Sequence, residues 1–177
     1  CFVITPALGD ALRERFGIAR TIPLALPYES RPVQRPPRRG NHVVHIGAIN
    51  HIYLPGLETL ARAMAEANQD GANFTLQLTQ APSEPLHSRL KSLVPVDTSS
   101  RQGNGSLEEM LARAACAVVP VEAEPSGMYA TSFPSKLLEY LNACETIVVL
   151  GPEDASAVRF FRTHSLDHIA GEQTALA

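Results

Sequence analysis

Short runs of β-branched and other apolar residues recur along this chain, each followed by a segment with helical periodicity. His42–Ile46, Phe74–Leu78, Ala117–Val121 and Thr146–Leu150 are strand-sized and rich in Val, Ile and Leu. Between them, Leu57, Leu60, Ala61 and Met64 fall at the three-to-four spacing that puts side chains on one helix face. Strands that alternate with helices and are apolar on both faces belong to a parallel sheet covered on both sides. The expected fold is therefore α/β, a doubly wound, Rossmann-like parallel sheet with right-handed crossovers.

The same reading sets the remaining elements. Helices are expected over Leu57–Ala67, Pro85–Leu93, Ser106–Ala114 (Ser106 and Glu109 forming a capping box), Ser132–Asn142 and Ala155–Thr163. A short strand is expected at Val94–Val96. Ahead of this lies a small β-α-β piece: an apolar run at Cys1–Ile4, a helix over Ala7–Phe16 with Thr5 as N-cap, Pro6 entering it and Gly17 ending it, and a second run at Thr21–Leu26. It is too small to fold alone. Residues 1–30 are read as the tail of a preceding domain, 31–41 as a linker and 42–177 as the Rossmann-like domain, expected to continue further. The absence of an initiator Met and a last segment, Thr174–Ala177, that starts another helical pattern both suggest a piece of a longer chain.

Composition excludes several classes. The net charge of −3 gives no global attraction to nucleic acid or anionic lipid. The local exception, Arg31–Gly40, is interrupted by prolines and reads as a solvated linker, with contact to phosphate or lipid headgroups as the alternative. No apolar run reaches the roughly 18 residues of a membrane-spanning helix. The three cysteines are odd in number and lack CxxC spacing, which points to a reducing compartment. A cytoplasmic location is expected, with peripheral association with a membrane left open.

Ligands of open α/β sheets bind beyond the carboxyl ends of the strands, near the point where the strand order reverses. Two loops there carry information. Gly47, after the first long strand, lets a ligand or backbone come close, although the full dinucleotide fingerprint is lacking. The second loop, Glu122–Thr131, leads into the helix expected to start at Ser132. Ser132, Ser135, Lys136 and Glu139 fall on one side of that helix, opposite Leu137, Leu138 and Leu141. Free N–H groups at a helix start attract phosphate. Lys136 adds a point charge, and the two oxygens of Glu139 can accept both hydroxyls of a ribose. This set suits a nucleoside diphosphate; the plainer alternative is a solvated face with a Lys136–Glu139 pair.

These residues also carry a resemblance. Ser132–Leu150 (SFPSKLLEYLNACETIVVL) resembles the S-P-x-K-x-x-E-Y-L-A-x-G-x-P-V-V stretch of family-four-like GT-B glycosyltransferases. Val43–Ala61, Leu107–Val121, Ile4–Ile18 and Leu26–Tyr28 are similar, in order, to further segments of that family. The resemblance implies the carboxyl-terminal, donor-holding half of a two-domain enzyme. Such an enzyme moves a sugar from a nucleotide-diphosphate donor to a hydroxyl acceptor, usually without a bound metal. It implies donor contacts at Lys136 and Glu139, beside the Gly47, Ser132 and Ser135 contacts read from the loop and the helix start. Asn50, His51, Glu124, Tyr129, Thr131 and Phe133 border the same site. The partners implied are a nucleotide sugar, UDP-type favoured, and a saccharide, lipid-linked or small-molecule acceptor held by an N-terminal domain. No cofactor beyond the donor, no metal and no nucleic acid are expected, and no catalytic residue is assigned. An isolated chain is not expected to turn over, because half the cleft would be missing.

Three positions depart from the family pattern. Thr131 stands where the first glutamate of E-x7-E belongs, Ile49–Gly56 has no Arg or Lys, and Asn142–Glu145 lacks glycine. A nucleotide-sugar epimerase of the same fold, and a non-catalytic GT-B module that binds partners, therefore stay open beside the transferase. His164 and His168, placed on one face if the helix continues, lack a third metal ligand nearby. His45 reads as a satisfied core residue, Cys116 as core, and Asp97–Thr98 as a border of the nucleobase. Ser126–Gly127 lacks the frame of a hydrolase elbow.

Overall fold

A computed structural model describes residues 2–3, 6–23, 40–98, 107–121, 131, 133–164 and 168–171. The linker residues 31–39, Ser106 and the Glu122–Ala130 loop lie outside that description, as do Thr5 and Ser132.

Strand β1 (Phe2–Val3), helix α1 (Pro6–Phe16) and strand β2 (Ile22–Pro23) form a unit with its own two-stranded parallel sheet. Pro6 opens α1 and Gly17, at φ +65°, closes it, its N–H donating to the Arg13 carbonyl at 3.0 Å.

The main sheet has six strands: β3 (His42–His45), β4 (Thr75–Leu78), β5 (Val96–Asp97), β6 (Cys116–Pro120), β7 (Ile147–Leu150) and β8 (His168–Gly171). Their order is β5-β4-β3-β6-β7-β8 and every pairing is parallel. The fold is thus an α/β, Rossmann-like parallel sheet. Helices α2 (Leu54–Gln69) and α3 (Leu86–Lys91) cover one face, where Leu57, Ala61, Met64 and Leu90 pack on Val43, Leu76 and Leu78. Helices α4 (Leu107–Arg113), α5 (Lys136–Ala143) and α6 (Ser156–Thr163) cover the other, where Leu111, Leu137, Tyr140 and Phe161 pack on Val44, Val119 and Val149. Successive residues of a strand face opposite sides, so Val43 and Val44 enter different cores. Truncating a fully buried leucine such as Leu57 in such a layer costs about 2–5 kcal/mol.

The strand order turns around between β3 and β6. The β3–β6 ladder is short, pairing Val43 with Cys116 and Val44 with Ala117. The β6–β7 ladder runs longer, from Ala117–Ile147 to Pro120–Leu150, and is extended by the Val121 N–H to the Leu150 carbonyl at 2.7 Å. Gly151 permits that extension, because a Cβ there would stand 2.8 Å from the Val121 Cβ. Beyond Val44, then, β3 and β6 are no longer paired, and this is where an open sheet of such topology has its crevice.

Several expected boundaries shift. Helix α5 begins at Lys136, not Ser132, because Pro134 forces Phe133 away from helical geometry. Its buried stripe is Leu137, Tyr140 and Ala143, with Leu138 and Leu141 half-buried. Strand β5 starts two residues later than expected, since the Val94 N–H bonds back to the Leu90 carbonyl at 3.1 Å and so belongs to the turn that follows α3. Strand β8 was not foreseen. It separates His164, which caps α6, from His168, which starts the strand, so the two histidines share no helix face.

Candidate functional site

Gly47 follows β3 with φ +98°, a left-handed conformation that disfavours every residue with a side chain. Its N–H donates to Thr79 Oγ1 at 2.9 Å. That donor is therefore occupied, and what Gly47 supplies is room. A Cβ built on it would stand 3.6 Å from Lys136 Nζ. The loop after β3 and the first residue of α5 thus meet across the seam between the two strands.

Lys136 is half-buried, and among the described residues its ammonium makes no hydrogen bond and no ion pair. The nearest aromatic group is Tyr53, whose ring centroid lies 6.0 Å from Nζ. Burial holds the Lys136 pKa below the ordinary lysine value, opposed by the charge of Glu139. Glu139 is exposed one turn along α5 and forms no ion pair with Lys136. The plain surface pair that the spacing allowed is absent. An unpaired, half-buried cation is costly, and an anion placed beside it recovers that cost.

The helix start is less free than expected. Ser135 occupies the N-cap position without a side-chain cap bond. The Leu137 and Leu138 N–H groups donate to the Pro134 and Ser135 carbonyls at 3.0 and 3.1 Å. Such a tight first turn uses donors that an anion would otherwise find. The positive character of the site rests on Lys136 more than on the helix end.

His45, at the end of β3, is fully buried. Its Nδ1 lies 3.2 Å from the Val118 carbonyl, while Nε2 meets no acceptor at hydrogen-bond geometry, the Ala48 main chain having only a weak influence. Burial, and then the charge of Lys136, push its pKa down to about 4. The expectation of a fully satisfied core histidine holds for only one of the two ring nitrogens.

The other expected residues are dispersed. Asn50 and His51 are exposed and line a hollow of about 280 Å³ with Leu54, Ser83 and Arg89, whose lining includes neither Gly47 nor Lys136. Arg89 is committed to the Glu58 carboxylate. Phe133 turns onto α6, edge-to-face with Phe160 at 5.1 Å, which is a packing contact. Thr131 is half-buried and already has a partner. Ser132, Glu124 and Tyr129 lie outside the described residues. Cys116 is half-buried, and burial raises its thiol pKa to about 11.

Sequence reasoning did not single out Tyr53, Thr79 or Tyr140. Tyr140 is fully buried and its hydroxyl accepts the Ile46 N–H at 2.8 Å. A larger hollow of about 620 Å³ lies at the opposite, amino-terminal edge of the sheet, lined by Asn68, Asn73 and Phe74. The Asn68 and Asn73 amides are bonded to nearby main chain, which marks that corner as a structural turn. Among the described residues no group of three or more His, Cys, Asp or Glu is placed to hold a metal, and no helix is long and apolar enough to cross a membrane. Compared with protein-family models, with curated proteins and with solved structures, the chain matches none, so its functional reading rests on the fold and on this crevice.

Proposed function

We propose that this chain binds the diphosphate of a nucleotide sugar in the crevice between β3 and β6, as the donor-holding part of a glycosyltransferase. The observation that carries the reading is the Lys136 ammonium, unpaired among the described residues, standing over Gly47 at the point where the strand order reverses. Open α/β sheets bind ligands at that place. Lys136 would neutralise charge on the diphosphate, most usefully as it develops on the leaving group. Glu139, whose carboxylate pairs with no described residue, would receive the ribose hydroxyls one turn on. The absence of Arg and Lys from Ile49–Gly56 favours a second reading, a module that binds without catalysis, because a transferring diphosphate is commonly held by several cations.

The test is calorimetric titration of the chain with UDP, GDP and ADP, beside the Lys136→Met and Glu139→Ala variants. Saturable binding of one nucleotide is expected, weakened at least tenfold by Lys136→Met, roughly 1.4 kcal/mol. Binding of none of the three by folded protein would sink the reading. Binding without release of sugar from any nucleotide sugar, with acceptors and the acceptor-holding domain that the resemblance implies both supplied, would favour the non-catalytic module.

A further inference from the structure

Two consecutive main-chain donors at the end of β3 are taken by side-chain hydroxyls from different elements. The Ile46 N–H donates to Tyr140 Oη at 2.8 Å, and the Gly47 N–H to Thr79 Oγ1 at 2.9 Å. Ile46 lies past the last β3–β6 pair, Val44 with Ala117, so its N–H has no partner on β6. A buried donor left in that state would be costly. Tyr140 reaches it from the far side of the seam. A phenylalanine would fill the same core space, so the hydroxyl serves the main chain of β3 rather than packing.

Lys136 and Tyr140 are four residues apart on α5, and so share one helix face. Among the described residues, the Tyr140–Ile46 bond is the one hydrogen bond from an α5 side chain to the sheet. The other anchors of α5, Leu137 and Ala143, are apolar contacts without direction, and tolerate a small slide or roll of the helix. One turn of helix converts such a roll into a displacement of the Lys136 ammonium relative to Gly47.

We propose that the Tyr140 hydroxyl is a positioning group: by tying α5 to the Ile46 main chain, it sets Lys136 over Gly47 and holds the two walls of the crevice in register. The placement of Lys136 stands on geometry alone; only its effect on ligand rests on the diphosphate reading above.

The test is Tyr140→Phe in the full chain, read in two ways. The first is the NMR signal of the Lys136 side-chain carbon next to the ammonium, assigned by its loss in Lys136→Met and followed with pH. If Tyr140 positions Lys136, the signal moves in Tyr140→Phe and titrates closer to an ordinary lysine. The second is a double-mutant cycle with Lys136→Met, using inorganic pyrophosphate as the probe. Tyr140→Phe is expected to weaken pyrophosphate binding at least threefold when Lys136 is present and to leave it unchanged in the Lys136→Met background. An unmoved Lys136 signal in folded Tyr140→Phe protein overturns the proposal, and so does an equal loss of affinity in both backgrounds. If pyrophosphate does not bind even the unsubstituted chain, the diphosphate reading fails, and the Lys136 signal alone decides the positioning role. If Tyr140→Phe does not fold, fluorotyrosine-substituted protein, which keeps the ring but weakens the hydroxyl as an acceptor, carries the same NMR readout.

Discussion

Asn68 and Lys136 stand at opposite edges of the same parallel sheet. At the amino-terminal edge, Asn68 bonds both the N–H and the carbonyl of Phe74, Asn73 bonds the Gly71 carbonyl at 3.1 Å, and Asn41 bonds the Asn73 carbonyl. At the carboxyl-terminal edge, Lys136 and Glu139 carry charges that no described residue pairs, and the His45 ring keeps Nε2 without an acceptor. The amino-terminal edge carries the larger of the two hollows described, yet the Asn68 and Asn73 amides there are spent on holding a turn. Hollow size therefore misdirects here, and the state of the polar groups discriminates better. Saturated groups hold the fold, and on the proposed reading the unsaturated charges of Lys136 and Glu139 are the ones left for a ligand.

The largest effect that can break this contrast is one of pH. The pKa of His45 falls from its ordinary 6.5 to about 4 in the folded chain. Between those values the unfolded chain binds the extra proton and the folded chain does not. The His45 contribution is therefore complete above pH 6.5 and is lost as pH falls toward 4, on the order of 3 kcal/mol in all. Denaturant melts from pH 7 to 4 should show the fall, and His45→Leu should flatten it; an unchanged slope would mean that Nε2 is satisfied after all. Next in size, Asn68→Ala should cost about 2 kcal/mol, since it strands two main-chain groups of Phe74. It should leave nucleotide affinity unaltered. A loss of binding in this variant would erase the distinction between the edges.

Gly47→Ala sharpens the comparison from the other side. The positive φ should cost about 1 kcal/mol of stability. The added methyl beside Lys136 Nζ should weaken nucleotide binding by more than that strain alone, which titration and melting together can separate. The smallest effect belongs to Ser135→Ala. Because Ser135 makes no cap bond, its melting temperature should move by no more than about 0.5 kcal/mol implies, and a larger drop would show a cap interaction after all.

How much of this was legible in the sequence follows from the range of each interaction. The Val- and Ile-rich strands and the alternating helices are local patterns, and they define the doubly wound sheet. Lys136 and Gly47 could be nominated singly, but not their meeting across the seam. The hydroxyl of Tyr140 was invisible because its partner, Ile46, lies 94 residues away. Phe133 looked like a site residue because its contact with Phe160 depends on how α6 docks. Strand β8 (HIAG) escaped because Ile169 is its one strong strand former, and the segment gains its conformation from pairing with β7. The start of α5 was the avoidable error, since Pro134 already marks the limit.

The uneven ladders give the sheet a line of weakness. β5, β4 and β3 form one raft and β6, β7 and β8 another, joined by the short β3–β6 pairing, while Gly151 lets β6 and β7 stay zipped to their very ends. Transient opening should favour this join over the longer β3–β4, β6–β7 and β7–β8 ladders, the equally short β4–β5 pairing lying at the sheet's edge. A ligand gripped by Lys136 on one raft and lying against Gly47 on the other would act as a rivet across that join. Occupancy of the crevice would then be felt as stiffness along the whole length of the sheet, well beyond the atoms it touches.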